Sequence, residues 1–290
     1  MTEHDQSSTA NMPSGGEAVI EPVRAVSYGG GVQSTALLVL AAQGRINFAR
    51  FLFANVGDDS EHPTSLRYVR EIAVPYAEAN GITITELSKQ PTRGRFAGET
   101  ETLYRRLMHP DSQSVGIPVR LISGAPGNRS CTVDFKIKIV AKELKRLGAT
   151  KDNPAIVALG ISTDEIQRAK PGTDDREPVQ FRVYPLLDLG ISRTECKRII
   201  AEAGLPVPPK SSCYFCPYHS IETWRDLKRN EPDLFAKSVH LEATLRDHRE
   251  ALGKDDVFFT ARLVPLDQAI DDQLTLGGMG DDCDSGWCFT

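Results

Sequence analysis

Long hydrophobic runs are missing from this 290-residue chain. Its two longest apolar stretches, Thr35–Ala42 and Ala155–Ile161, fall under half of the roughly 20 residues that a membrane-spanning helix needs, so no membrane segment is expected. Cysteine is scarce as well. Six residues cannot build the disulfide framework of a small secreted domain, and they read instead as metal ligands or reactive thiols. Residues 1–19 carry neither the basic region nor the apolar core of a secretory signal, which makes the cytoplasm the expected location. No charge of one sign dominates either. With 34 Lys and Arg against 39 Asp and Glu, the formal net charge of −5 excludes a surface coated for nucleic acid but leaves room for a local basic groove. There is no internal repeat. What remains is ordinary for an enzyme: 40% hydrophobic and 25% charged residues, enough for one large domain or two small ones with a real core.

The polar, Ser- and Gly-rich residues 1–20 read as a mobile tail. Short apolar runs at Val23–Ser27, Phe48–Ala54 and Ile82–Leu87 read as strands, and Ser34–Gln43 and Glu61–Asn80 as helices between them. Further strands are expected at Pro154–Ile161 and Phe181–Leu186, with helices over Thr132–Leu147 and Ser192–Ala203. This alternation predicts an α/β fold, a three-layer, doubly wound, mostly parallel sheet with helices on both faces. Two polar helices, about His219–Asn230 and Pro232–Leu252, form a C-terminal helical segment. The expected division is therefore the tail 1–20, an α/β domain 21–205 and a cysteine-containing helical region 206–290.

The first strand ends in Ser27-Tyr-Gly29-Gly30-Gly31-Val-Gln33-Ser34-Thr35, a glycine turn followed at once by a helix. Backbone amides in such a turn can approach an anion closely, and the helix N-terminus adds its dipole. Ser34 and Thr35 are placed to cap the helix or to donate to phosphate. The turn has no Walker A lysine and no third glycine of a dinucleotide fingerprint, so neither of those readings holds. A plain turn, in which the glycines solve only a steric problem, stays open at this point.

The turn resembles the phosphate-binding loop of the adenine-nucleotide α-hydrolase superfamily, which holds the PP-loop ATP pyrophosphatases and the phosphoadenosine phosphosulfate (PAPS) reductases. The usual loop reads Ser-Gly-Gly-x-Asp-Ser; here Gly29 stands at the first Ser and Gln33 at the Asp, a departure that favours the PAPS reductase-like branch. Phe53-Ala-Asn55-Val-Gly57-Asp58 resembles the family's Asp-Thr-Gly stretch beside the adenosine. Arg129-Ser-Cys131-Thr-Val-Asp-Phe-Lys136-Ile resembles a Cys-Thr-x-x-Tyr/Phe-Lys-Ile motif. Gly160-Ile-Ser-Thr-Asp164-Glu165 with Arg168, Tyr184-Pro-Leu and the run Pro206 to Pro217 follow in the family's order, so the resemblance spans about residues 24–220. It implies an adenine nucleotide, ATP or PAPS, with or without Mg²⁺, bound by Ser27, Gly29, Gly30, Gly31, Gln33, Ser34, Asn55, Gly57, Gly160 and Arg168. It also implies sulfur chemistry, either sulfonucleotide reduction or ATP-dependent sulfur transfer.

Cys213-Tyr-Phe-Cys216-Pro places two thiols one tight turn apart, a spacing suited to one metal ion or one cluster face. Cys131 is the natural third ligand, ahead of a basic helix whose charge would favour thiolates. By resemblance to cluster-bearing sulfur-transfer members of the superfamily, Cys131, Cys213 and Cys216 would hold a [4Fe–4S] cluster. A structural zinc site, a redox dithiol and inert thiols are the competing readings. Cys283 and Cys288 lie in an acidic C-terminal tail placed like that of PAPS reductases, where a cysteine attacks the bound sulfonucleotide; as catalytic nucleophile, fourth ligand or neither, their role stays open. Cys196 reads as a buried helix residue.

Arg93, Arg95, Arg105 and Arg106 form a local basic excess that could clamp phosphates or simply face solvent. Asp164 and Glu165 read equally as ligands or as carboxylates at a helix start, and His219 as a neighbour of the cysteines or as a helix cap. The expected partners are the adenine nucleotide, a nucleic-acid or small-molecule sulfur acceptor, a thioredoxin- or ferredoxin-type redox protein and a second copy of the chain in a homodimer. The rival class is a zinc-stabilised nucleotide- or nucleic-acid-binding accessory protein without catalysis.

Overall fold

Runs rich in Val, Ile, Leu and Phe form the central sheet, because strands covered on both faces need apolar residues at every position. The computed structural model describes residues 21–112, 115–170, 172–174 and 177–270. In chain order the strands are β1 (Arg24–Tyr28), β2 (Arg50–Ala54), β3 (Thr83–Leu87), β4 (Arg120–Leu121), β5 (Ala155–Leu159), β6 (Gly172–Asp174), β7 (Glu177–Val183) and β8 (Val257–Phe258). Six of them form one sheet in the order β3-β2-β1-β5-β7-β6, parallel except for the antiparallel edge strand β6. β4 and β8 form a separate antiparallel pair.

Alternation along each strand sorts the two faces. Val26, Tyr28, Phe51 and Phe53 join one core with helix α1 (Val32–Ala42), the helical stretch 63–79 and the helix Arg193–Glu202. Ala25, Leu52, Ala54 and Val157 point the other way, onto Val140, Ala141 and Leu144 of the helix Lys138–Arg146. The chain is therefore the expected three-layer α/β fold. A second core joins Val56, Leu103, Leu107, Val119 and Phe135 to Phe215, Trp224, Phe235, Leu241 and Phe259. The C-terminal helices Ile221–Asn230 and Pro232–Glu250 thus bury their apolar sides against residues from the middle of the chain rather than among themselves. Among the described residues no helix is long and apolar enough to cross a membrane.

Three local expectations need correction. The last long strand ends at Val183 instead of Leu186, because Pro185 cannot donate to the ladder and starts the helix Pro185–Asp188. The first helix begins at Val32 with Gly31 as its N-cap, so Ser34 and Thr35 lie inside its first turn and neither is the cap residue. The helix expected from Glu61 begins at Pro63, where His62 Nδ1 accepts from the Thr64 amide at 3.3 Å, and it carries a π-helical turn over Tyr68–Ala73. A second π turn, Val133–Ile137, follows Cys131. The expected tail 1–20, together with Cys283, Cys288 and Trp287, lies outside the described residues.

Candidate functional site

The order of the sheet fixes where a ligand can approach. From β1 the chain moves outward to β2 and β3, then crosses back to β5 on the other side of β1, which makes the carboxyl ends of β1 and β5 the switch point. Gly29, Gly30 and Gly31 leave β1 there, and Gly160 leaves β5. Gly30 has φ +71°, and a Cβ on it would stand 2.8 Å from Val69 Cγ2, so both backbone and packing require glycine. A Cβ on Gly160 would stand 2.9 Å from the Ser34 amide nitrogen. The two glycine turns therefore pack backbone to backbone around the start of α1.

Ser34 Oγ accepts from the Gly29 amide at 3.3 Å and donates to the Gly31 carbonyl at 3.1 Å, folding the turn over the helix end. Thr35 Oγ1 and the Tyr28 hydroxyl lie 3.2 Å apart in the core, where burial pushes the Tyr28 pKa well above its ordinary value. Gln33 accepts from Arg193 at 3.3 Å, and Arg193 also donates its backbone amide to Asp164 at 2.5 Å, which holds that carboxyl below its usual range. Ser27 is half-buried on β1, beside Leu52 and Leu159.

The remaining residues expected around the nucleotide are committed to internal contacts. Asn55 donates to Asp58 at 2.7 Å and to Glu86 at 2.8 Å, and accepts from the Gly57 amide at 2.8 Å. Arg70 forks onto the same two carboxylates, and its hydrogen bonds hold both Asp58 and Glu86 below the usual carboxylate range. Gly57 has φ +128°, and a Cβ there would meet Thr102 Cβ at 2.5 Å. Arg168 is buried and paired with Glu165 at 2.5 Å, its Nε without a hydrogen-bond partner.

Of the four arginines in the basic excess around residues 88–130, Arg93 is exposed and the other three are likewise drawn into pairs. Arg105 meets Glu99 at 2.8 Å, Arg95 meets Asp111 at 3.7 Å, and Arg106 meets Glu101 at 2.5 Å and Asp134 at 3.1 Å. Lys89 and Arg106 also cover the ring of buried Phe135, at 4.6 and 4.5 Å from its centroid. Of the phosphate-clamp reading and the solvated-face reading, neither describes Arg106, which braces the second core.

The loop carrying the Cys213–Cys216 pair lies directly on the glycine turn. Ser211 Oγ donates a short hydrogen bond to the Gly29 carbonyl, and Ser211 Cβ is 3.6 Å from where a Cβ of Gly31 would be. Further along, the His62 amide donates to the Ser212 carbonyl at 3.1 Å and the Tyr214 amide to the Ser60 carbonyl at 3.2 Å, which bridges Glu61 to Cys213. The Cys216 amide donates to the Cys213 carbonyl at 3.2 Å. His219 is half-buried, desolvation of its ring pushes its pKa down to about 3, and its Nε2–H donates to the Cys213 carbonyl at 3.0 Å. Cys131 is the middle residue of the short helix Ser130–Thr132, anchored by its amide to the Gly116 carbonyl at 2.8 Å. The guanidinium of Arg129 stands 5.2 Å from the Tyr218 ring centroid, so the Cys131 segment adjoins the one after Cys216.

Cys131, Cys213 and Cys216 are half-buried, and Cys131 and Cys213 both pack against the second core. Soft sulfur donors of this number suit an iron–sulfur cluster or zinc, so the residues present fit either group in kind. Among the described residues no three His, Cys, Asp or Glu side chains are already converged on one ion position. Cys196 is different: fully buried in the first core, its thiol is pushed up to about 12 by burial, which suits an inert packing residue.

Two residues were not singled out for a role by sequence reasoning. Ser211 lies within the Pro206–Pro217 run but was given no role of its own, and its contact with Gly29 spans 182 positions. Glu61 is 1% exposed, yet among the described residues neither of its carboxylate oxygens has a hydrogen-bond partner. Lys136 Nζ stands 3.5 Å from Glu61 Oε1.

No protein-family model matches the chain, and no curated protein matches it in sequence. Among solved structures it is similar to the U34-tRNA thiolase NcsA from Methanococcus maripaludis, solved with its [4Fe–4S] cluster. That likeness has a TM-score of 0.38 at 15% identity, over 80% of this chain and 72% of the thiolase.

Proposed function

We propose that this chain is an adenine-nucleotide-dependent enzyme that handles sulfur, of the PAPS reductase-like type, with Cys131, Cys213 and Cys216 holding a [4Fe–4S] cluster. The observation that carries this reading is the hydrogen bond from Ser211 to the Gly29 carbonyl, which lays the cysteine loop on the glycine turn. That contact supports reading the glycine turn and the cysteine pair as parts of one site.

In this reading the amides of Gly30, Gly31 and the first turn of α1 face the nucleotide phosphates, where the unpaired N–H groups and the helix dipole favour negative charge. Ser34 and Ser211 hold the turn in shape, and Gly160 lets the β5 turn approach without a side chain. Preorganised amides of this kind need no rearrangement as charge develops on a leaving phosphate. When bound, the cluster would supply electrons or a site for the transferred sulfur. The chain's own contribution there would be three thiolates, two of them on the loop that Ser211 ties to the glycine turn.

ATP and PAPS are separated by their products. Anaerobically reconstituted protein is incubated with ATP and Mg²⁺, or with PAPS and a dithiol as electron donor, and the nucleotide product is identified. AMP with pyrophosphate marks activation of an acceptor for thiolation, whereas adenosine bisphosphate with sulfite marks sulfonucleotide reduction. If neither nucleotide binds or is consumed, the proposal falls. A colourless preparation that takes up zinc and no iron replaces the cluster with the rival zinc reading.

A further inference from the structure

Residues Gly29 to Thr35 carry no charged side chain. The amides of a turn and a helix N-terminus supply only partial charge, whereas a nucleotide brings several full negative charges. A full positive charge reaches this turn from 160 positions along the chain. Arg193, the first residue of the helix Arg193–Glu202, donates from Nη1 to Gln33 Oε1 in the first turn of α1 at 3.3 Å.

The base of Arg193 is fixed to the turn that leaves β5. Its backbone amide donates to Asp164, which also accepts from Ser162 Oγ at 3.3 Å, and the Thr163 amide donates to the Ile191 carbonyl at 3.0 Å. Cys196, Ile199 and Ile200 of the same helix share the first core with α1. Arg193 is half-buried, and among the described residues its guanidinium forms no ion pair with a carboxylate. Gln33 is a neutral partner, so this hydrogen bond aims the guanidinium without cancelling its charge. Arg70, Arg106 and Arg168 are instead each engaged by a carboxylate.

Charge on the two sides of the turn sets which way a nucleotide lies. On the β2 side Asp58 and Glu86 are both held in their charged form against the single guanidinium of Arg70. On the β5 side Arg168 matches Glu165, and Arg193 matches Asp164. The surplus of negative charge lies toward β2, so the most anionic end of a nucleotide turns toward β5 and Arg193.

Resting on the nucleotide reading above, we propose that Arg193 binds the anionic group beyond the α-phosphate of the nucleotide, a terminal phosphate of ATP or the sulfo group of PAPS. The planar fork offers the N–H groups not used by Gln33 to two oxygens of such a group at once. Gln33 holds the fork in place.

The test titrates two pairs of nucleotides into the full-length chain without divalent cations, ATP beside AMP and PAPS beside adenosine 3′,5′-bisphosphate. The members of a pair differ only beyond the α-phosphate. Arg193→Gln should weaken ATP or PAPS about 10- to 100-fold and the shorter member by less than about threefold, because the charged hydrogen bond exists only with the distal group. Arg193→Lys, which keeps the charge and loses the fork, should fall between. Arg198→Gln removes the same charge from an exposed position of the same helix, where Arg198 pairs with Glu202, and should leave every affinity within about twofold. Equal losses within a pair, no loss at all, or an equal loss in Arg198→Gln overturns the inference and leaves the nucleotide reading in place. The wild type supplies a measurement that needs no variant, since equal affinities within the pair it binds overturn the inference as well. A wild type that binds none of the four nucleotides overturns both.

Discussion

Gly160→Ala tests whether the backbone contact between the two turns shapes the nucleotide site. The added Cβ would stand 2.9 Å from the Ser34 amide nitrogen, 3.1 Å from the Gln33 carbonyl carbon and 3.2 Å from Gln33 Cβ. Two of these three neighbours are backbone atoms and cannot rotate away, so the start of α1 must retreat by roughly half an ångström to reach ordinary contact. Overpacking of this kind costs about 1–3 kcal/mol. The displaced amides are the ones proposed to face phosphate, so a binding loss of the same size, about 5- to 150-fold, should accompany it. The control is Gly44→Ala. Gly44 has φ +69° with nothing within 4 Å of a new Cβ. Its substitution should cost about 1–2 kcal/mol from backbone strain alone, with nucleotide affinity unchanged. Denaturant melts and equilibrium binding of ATP on the two variants make the comparison. If Gly160→Ala binds ATP as tightly as Gly44→Ala does, the contact between the turns does not govern the site and the reasoning is refuted.

Gly31→Ala should leave stability nearly intact and weaken ATP binding, because its Cβ meets only Ser211 Cβ at 3.6 Å and its φ of −96° suits any residue; a binding titration beside a thermal melt checks both halves. Glu242 accepts from the Phe259 and Leu266 amides at 2.6 Å each, and burial raises its pKa from 4.5 to about 7. The folded chain then binds more protons than the unfolded one in that window, so this group's contribution to stability should fall as pH rises from about 4.5 to about 7. Glu242→Gln should flatten that part of a Tm-against-pH series; an unchanged slope would assign the pH dependence to other groups. Ser192 and Glu195 form a reciprocal capping box on the helix Arg193–Glu202, and Ser192→Ala should cost about 1 kcal/mol in a denaturant melt. Single serine substitutions at Cys131, Cys213 and Cys216 should lower iron content to a similar extent. Full iron retention in Cys131→Ser alone would remove it from the ligand set.

Much of the site could be read from the sequence where local chemistry dictates it. A glycine-rich turn between a strand and a helix has few uses, and Gly30 does take the left-handed backbone that such a turn requires. The pair Cys213–Cys216 closes a tight turn because its spacing allows little else. Asn55 and Arg168 show the limit of motif matching. The resemblance gives both to the nucleotide, whereas in the fold their polar groups are engaged with Asp58, Glu86 and Glu165, partners that position in a motif does not reveal. The basic excess at residues 88–130 was visible as composition, whereas its pairing with Glu99, Glu101, Asp111 and Asp134 depends on how the helix Leu103–Met108 packs.

By itself the sequence determined the α/β class, the parallel sheet and the position of the glycine turn, because apolar periodicity and turn chemistry act over a few residues at a time. It also placed the principal helices to within a few residues, except where proline reset a boundary at Pro63 and Pro185. Only the tertiary structure decided that Ser211 reaches Gly29 across 182 positions, that Glu61 pairs with Cys213, and that Phe135 from the middle of the chain completes the core of the C-terminal helices. These are contacts between segments whose local patterns are silent about each other. Their geometry follows from the crossover of the chain from β3 back to β5 and from the packing of a second core, which no window along the sequence contains.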